Sequence, residues 1–286
     1  MDQAMLNVTT NHFSMSPLEG TWLWFYSLHS NPALVTAVVC FALHELIWFG
    51  GWLFSALLDY VPSVQKYKLQ SEKVLTSEQW WKCTWGCLLS HFFIQLPMML
   101  GFHPAAEFVG VKILEVPFPP WWKVILQITA CAIFEDTYYY WFHRALHWGP
   151  LYAHIHKQHH EFSAPRFGST AEYAHPLETL ILGMGTIGGP LLIAVTTQDI
   201  HMFTVMCWMI FRMLQSLESH CGYELPYGFK TVIPFWSGAD HHDYHHQAFT
   251  NCYATSFRWW DSLMGTDMRY HAFRQRQHKE KASKQK

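Results

Sequence analysis

Three short stretches of this chain must meet in space, and that demand limits its fold more than any other feature. They are His143-Arg144-Ala145-Leu146-His147, His156-Lys157-Gln158-His159-His160 and His242-Asp243-Tyr244-His245-His246. Thirteen of the twenty histidines lie between His143 and His246, and eight of them fall in these clusters. Spacings of three or four residues predict imidazoles sharing one face of an α-helix. Eight neutral nitrogen donors exceed what one four-coordinate ion uses. They point to two ions, with iron or zinc as the metals that favour imidazole. A loosely metal-buffering histidine tract fits badly, because the clusters are spaced apart and embedded in aromatic sequence.

Half of the 286 residues are apolar and only 14% are charged, against roughly one-quarter in soluble domains. That shortage predicts a lipid bilayer as partner. A net charge of −2 argues against nucleic acid, since little outside the tail neutralises phosphates. Seven scattered cysteines read as buried free thiols and not as a disulfide framework. Residues 1–20 lack an apolar core, so no cleavable signal peptide is read there. Asn7-Val8-Thr9 fits a glycosylation acceptor.

Residues 33–58 form an apolar run longer than the about twenty residues a bilayer requires. Its His44-Glu45 pair is read as a polar contact between helices and not as chemistry. Residues 85–102, with His91 and Pro97, are a second candidate span. The run 121–141 starts at Trp121-Trp122, a pair suited to the membrane interface, and leads into the first cluster. Two further apolar segments cover 177–195 and 200–217. Gly183, Gly185, Gly188, Gly189 and Pro190 predict that the first of these is re-entrant or closely packed. Lys66, Lys68, Lys73 and Lys82, with the basic tail from Arg269, predict a cytoplasmic face for residues 59–82 and for the tail. The expectation is an all-α integral membrane helical bundle with a cytoplasmic histidine-rich di-metal cap. Its parts are a polar segment 1–32, transmembrane helices 33–134, a catalytic domain 135–267 with an embedded membrane hairpin, and a mobile basic tail 268–286.

The protease pattern H-E-x-x-H is absent, since His44-Glu45 and His160-Glu161 both lack the second histidine. Carboxylates then serve as partners that orient rings through N–H groups. Asp136 is the best candidate: a helix stacks it on one face with His143 and His147, beside Tyr140. Glu172, Asp240 and Asp243 stand open between that role and surface or capping charges. On spacing alone, the isolated His175 and His220 are not counted as ligands.

The three clusters in this order, with Ala171-Glu172-Tyr173-Ala174-His175-Pro176-Leu177-Glu178 and Gly238-Ala239-Asp240-His241-His242-Asp243-Tyr244-His245-His246, resemble the fatty acid hydroxylase superfamily. Within it the likeness is to the 4-methylsterol monooxygenases (sterol C-4 methyl oxidases). Phe257-Arg258-Trp259-Trp260-Asp261 and Gly265-Thr266-Asp267 fit that pattern too, and the likeness is specific over 135–267. The resemblance implies a multi-pass endoplasmic-reticulum enzyme with two histidine-held irons per chain, its active site cytoplasmic. It would use O₂ and electrons from NAD(P)H, passed through cytochrome b5 and its reductase, to oxidise the 4-methyl group of a sterol. A downstream decarboxylase and ketoreductase would be further partners. The resemblance also makes His220 a ligand and His175 a ligand or pocket wall. Arg166, which separates Pro165 from Phe167-Gly168, departs from the family pattern, and Lys284-Gln285-Lys286 matches a dilysine retrieval signal only in part. Another sterol or lipid hydroxylase or desaturase of the superfamily is the nearest rival. A membrane metal-binding or transport protein is more distant, because a transporter needs ionisable ligands deep within several spans.

Overall fold

Side chains at the helix starts set where the helices begin. In the computed structural model, which describes residues 15–73, 75–163 and 168–284, Ser16 and Glu19 form a capping box that opens α1 (Pro17–Ser27). Asn31 accepts the Ala33 and Leu34 amides at the start of α2 (Pro32–Leu58). Thr76 and Gln79 cap α3 (Ser77–Ser90). A π-turn over His91–Gln95 joins α3 to α4 (Leu96–Phe108), with the Leu96 amide reaching back to the His91 carbonyl. Pro97 explains the wider turn, because it has no N–H and its ring would strike the carbonyl four residues earlier. The acceptor triplet at Asn7 and the Arg166 departure lie outside the described residues.

The remaining helices are α5 (Trp121–Leu146), α6 (Gly149–His154), α7 (Pro176–Thr197), α8 (Met202–His220), α9 (Ala239–Ala248), α10 (Trp259–Met264) and α11 (Met268–Lys284). Among the described residues, β-structure is confined to isolated bridges. The all-α expectation holds.

Three stretches are long and apolar enough to cross a membrane: Pro32–Leu58, Ser77–Phe108 and Pro176–Thr197. They present Leu46, Phe49, Phe93, Trp85, Leu192 and Val195 outward, an apolar belt that water would penalise and lipid accommodates. Helices α5 and α8 are full-length but carry Glu135, Asp136, Arg212 and Glu218, and they fall outside that set. The glycine-rich run is an unbroken helix, so close packing and not re-entry is what its glycines provide. Helix α5 packs most extensively against α7. A Cβ on Gly189 would stand 3.1 Å from the Cys131 Cα.

Both ends of the chain differ from expectation. Within the expected polar segment, residues 17–27 form a docked helix whose buried Trp22 donates to the Ile113 carbonyl at 2.8 Å. The tail expected to be mobile forms α11. Its Tyr270 is buried and donates to Asp240 at 2.8 Å, while Arg274 pairs with the same carboxylate.

Candidate metal centre

Four chain segments deliver nine histidines to one end of the bundle. His143 and His147 close the C-terminal turn of α5, and His220 closes α8. His242, His245 and His246 lie on α9. That helix is entered through Gly238 at φ +76, a left-handed conformation, and a side chain there would also strike Lys230 and Glu224. The second cluster departs from its expected α-helix: His156–Glu161 is a 3₁₀ segment.

The rings sort into two groups. His143, His147, His156, His160 and His245 form one; His159, His220, His242 and His246 form the other. In the first group the Nε2 atoms of His143 and His156 are 3.1 Å apart, as are those of His160 and His156. His245 lies 3.2 Å from both His147 and His160. In the second, His242 is 2.9 Å from His220 and 3.2 Å from His246, and His220 is 3.4 Å from His159.

Tautomers decide what these contacts mean. His143 Nδ1 donates to the Tyr253 carbonyl at 2.7 Å, and His156 Nδ1 meets Glu178 Oε1 at 2.8 Å. Each ring therefore turns a bare Nε2 lone pair toward the other. His245 Nδ1 is likewise held by the Asn251 carbonyl at 2.7 Å, and His220 Nδ1 by the Ser216 carbonyl at 2.9 Å. Lone pairs facing at such distances repel unless a cation lies between them. With metal–nitrogen bonds of about 2.1 Å, ligands at right angles sit about 3.0 Å apart and tetrahedral ones about 3.4 Å. The donor set thus fits two metal ions.

Burial keeps the rings neutral and ready to ligate. It holds His159 down to about 4 and, with the neighbouring imidazoles, holds His156, His160, His242, His245 and His246 well below the usual value.

Two expected site residues do something else. His175 caps α7, its Nδ1 accepting the Leu177 amide at 3.2 Å, and it joins neither group. Asp136 touches no imidazole: its Oδ1 accepts the amides of Ser256 and Phe257 at 3.2 and 3.0 Å. The carboxylate on a ring of the site is Glu178, three residues after the α7 cap. Asp261 was also missed. It accepts the amides of Tyr253 and Ala254 at 2.9 Å each, fixing the loop whose carbonyls hold His143 and His245. No spacing rule reveals either residue, because Glu178 lies 22 residues from His156 and Asp261 reaches His143 only through the Tyr253 backbone.

His44-Glu45 proves to be an interhelical contact as expected, with partners the sequence did not suggest. His91 and His44 both lie between Glu45 and Glu172, His91 at 2.7 and 2.9 Å and His44 at 3.2 Å from each.

A cavity of about 520 Å³ lies between α2, α4, α5, α7 and α8. Met98, Phe102, Ile187, Leu191, Met206 and Met209 make its wall apolar, and His159 and His220 bring the second histidine group to its surface. Its size and lining suit a small apolar molecule.

The model of the fatty acid hydroxylase family matches residues 128–266. The chain is 44% identical to the C-4 methylsterol oxidase of Schizosaccharomyces pombe, over 93% of this chain and 88% of that protein. It is 42% identical to a methylsterol monooxygenase of Aspergillus fumigatus, over 94% and 90%. It is 40% identical to methylsterol monooxygenase 1 of Rattus norvegicus, over 92% and 87%. No solved structure matches. With two nitrogen-only ligand groups, one of them at the edge of an apolar cavity, and relatives aligned along nearly its whole length, the chain belongs to the fatty acid hydroxylase family, among its methylsterol monooxygenases.

Proposed function

We propose that this protein oxidises the C-4 methyl group of 4-methyl or 4,4-dimethyl sterols in sterol biosynthesis. Two irons are held by His143, His147, His156, His160 and His245 on one side and by His159, His220, His242 and His246 on the other. The observation that carries this reading is the meeting of the second histidine group with the apolar cavity. When bound, the iron pair supplies the oxidising power that breaking an unactivated C–H bond requires and that no side chain has.

The chain's own residues do the rest. The cavity wall takes the sterol out of water and fixes which carbon faces the centre. Glu178 and the Tyr253 and Asn251 carbonyls hold His156, His143 and His245 with their Nε2 atoms inward. Each round consumes one O₂ and two electrons, and successive rounds take methyl to hydroxymethyl, aldehyde and carboxylate. The electrons come from NAD(P)H through cytochrome b5 and its reductase, and a decarboxylase and ketoreductase act on the product. Membership of a sterol-oxidising family and the apolar belt support residence in the endoplasmic-reticulum membrane.

A cytoplasmic centre is supported by the lysine-rich 59–82 stretch, which sits against the histidine cap. Gln70 donates to Asp243 at 2.8 Å, and Lys82 pairs with Glu161. Positive loops stay on the cytoplasmic side.

The test is membranes carrying this chain, given NADH, ¹⁸O₂ and a 4,4-dimethylsterol and read by mass spectrometry. Labelled oxygen on the 4-methyl carbon is expected, and none when His159 or His245 is replaced by Ala. Loss of two hydrogens without label would overturn the reading in favour of a desaturase.

A further inference from the structure

The cavity wall is mostly apolar, and its polar members besides the histidines include Gln95, Glu172, Thr186, Ser216 and Thr255. Tyr139 and Arg212 line it together, one from α5 and one from α8. Tyr139 stands one turn before His143 on α5, its ring 5.1 Å from the His143 ring. Arg212 stands two turns before His220 on α8, with its guanidinium carbon 5.6 Å from the centre of the Tyr139 ring. Both side chains thus ride on helices that end in metal-site histidines.

The guanidinium is pinned. Its Nε donates to Glu135 Oε1 at 2.6 Å, and one terminal nitrogen donates to Gln215, which in turn donates to the Thr255 carbonyl at 3.0 Å. A guanidinium has five N–H groups, so three have no partner among the described residues. The Tyr139 hydroxyl has none either, although Tyr139 is only 7% exposed. Burying a cation in an apolar wall is costly, and an Arg–carboxylate pair exchanged for apolar residues of similar volume commonly leaves a protein no less stable. Clamping α5 to α8 therefore does not account for donors left without a protein partner on two side chains that line the cavity. A ligand oxygen does.

Resting on the sterol C-4 reading, we propose that Tyr139 and Arg212 form an oxygen-binding subsite that takes the C-3 hydroxyl of the substrate. C-3 is bonded to C-4, so wherever the methyl group is held for oxidation the hydroxyl lies alongside it. A donor pair on the same two helices as His143 and His220 engages that oxygen and so selects which carbon faces the centre. The Tyr139 hydroxyl and the guanidinium donate, and the sterol oxygen accepts.

The experiment uses metal-loaded protein in lipid nanodiscs. It measures equilibrium binding of a tritiated 4,4-dimethylsterol and of its 3-deoxy analogue, alongside oxidation of each. Wild type is expected to bind the hydroxylated sterol at least tenfold more tightly. Tyr139→Phe should weaken that binding about tenfold, the worth of one hydrogen bond to a charged-pair site, and leave the 3-deoxy analogue unchanged. Arg212→Lys keeps the charge beside Glu135 but loses the planar fork, and it should narrow the same ratio with metal content intact. Equal binding of both sterols by wild type would overturn the proposal. So would a loss in Tyr139→Phe that is the same for both. A hydroxyl preference without any oxidation would sink the C-4 reading and leave the subsite standing, and oxidation without that preference would do the reverse.

Discussion

His156 and His159 are three residues apart, yet they serve different histidine groups, and His245 and His246 divide in the same way. Each H-x-x-H-H cluster therefore feeds both ions. The rings are aimed largely by backbone: the carbonyls of Tyr253, Asn251 and Ser216 hold three of them. Asp261 controls the first of these from behind, through the Tyr253 amide. Asp261→Ala should leave two buried amides unpaired, at about 1–3 kcal/mol each, and release the His143 ring. The expected result is a roughly 10–100-fold loss of metal affinity or activity, read by metal analysis and turnover. Full metal content with full turnover would mean the loop holds itself. At this scale the three clusters were legible because their spacing repeats. Glu178 and Asp261 were not, because a carboxylate's partner depends on loop paths that spacing does not encode. Asp136 shares a helix face with His143, but the backbone amides of Ser256 and Phe257 reach it first.

Among the elements, α5 and α7 show what sequence patterns miss. Five glycine and proline positions in α7 read as helix breakers, as they would in water. In a bilayer no solvent competes for the backbone groups, so the helix persists and its glycines allow α5 to approach. Gly189→Leu should force the two backbones apart at Cys131 and cost about 1–3 kcal/mol, seen as a lower melting temperature in detergent. Gly50→Ala is the control, since nothing lies within 4 Å of a Cβ built there. Equal melting of both variants would show that the Gly189 contact yields freely. Helix existence was legible from apolar runs, and α1 and α11 were not. Their docking rests on a few long-range contacts that no local pattern announces, Trp22 and Glu19 onto the 113–118 loop and Tyr270 and Arg274 onto Asp240.

For the whole molecule, nine converging imidazoles are a destabilising arrangement unless cations separate them. Removing the metal with a chelator should lower the melting temperature, and Fe²⁺ or Zn²⁺ should restore it. Ligand present at a thousand times its dissociation constant stabilises by about 4 kcal/mol. Unchanged melting after verified metal loss would mean that the bundle alone braces the site. The cavity could not be read from the sequence, because its wall runs from Cys40 to Thr255 and only the folded chain brings those residues together. The same long reach governs the order in which the site can be made. About a hundred residues separate His143 from His246, roughly 5–20 s of synthesis at about 5–20 residues per second. Neither histidine group is complete until the last of them has left the ribosome. Loading is therefore the act of a finished polypeptide, and for those seconds the cell must keep half-built nests of imidazole from whatever ion is nearest.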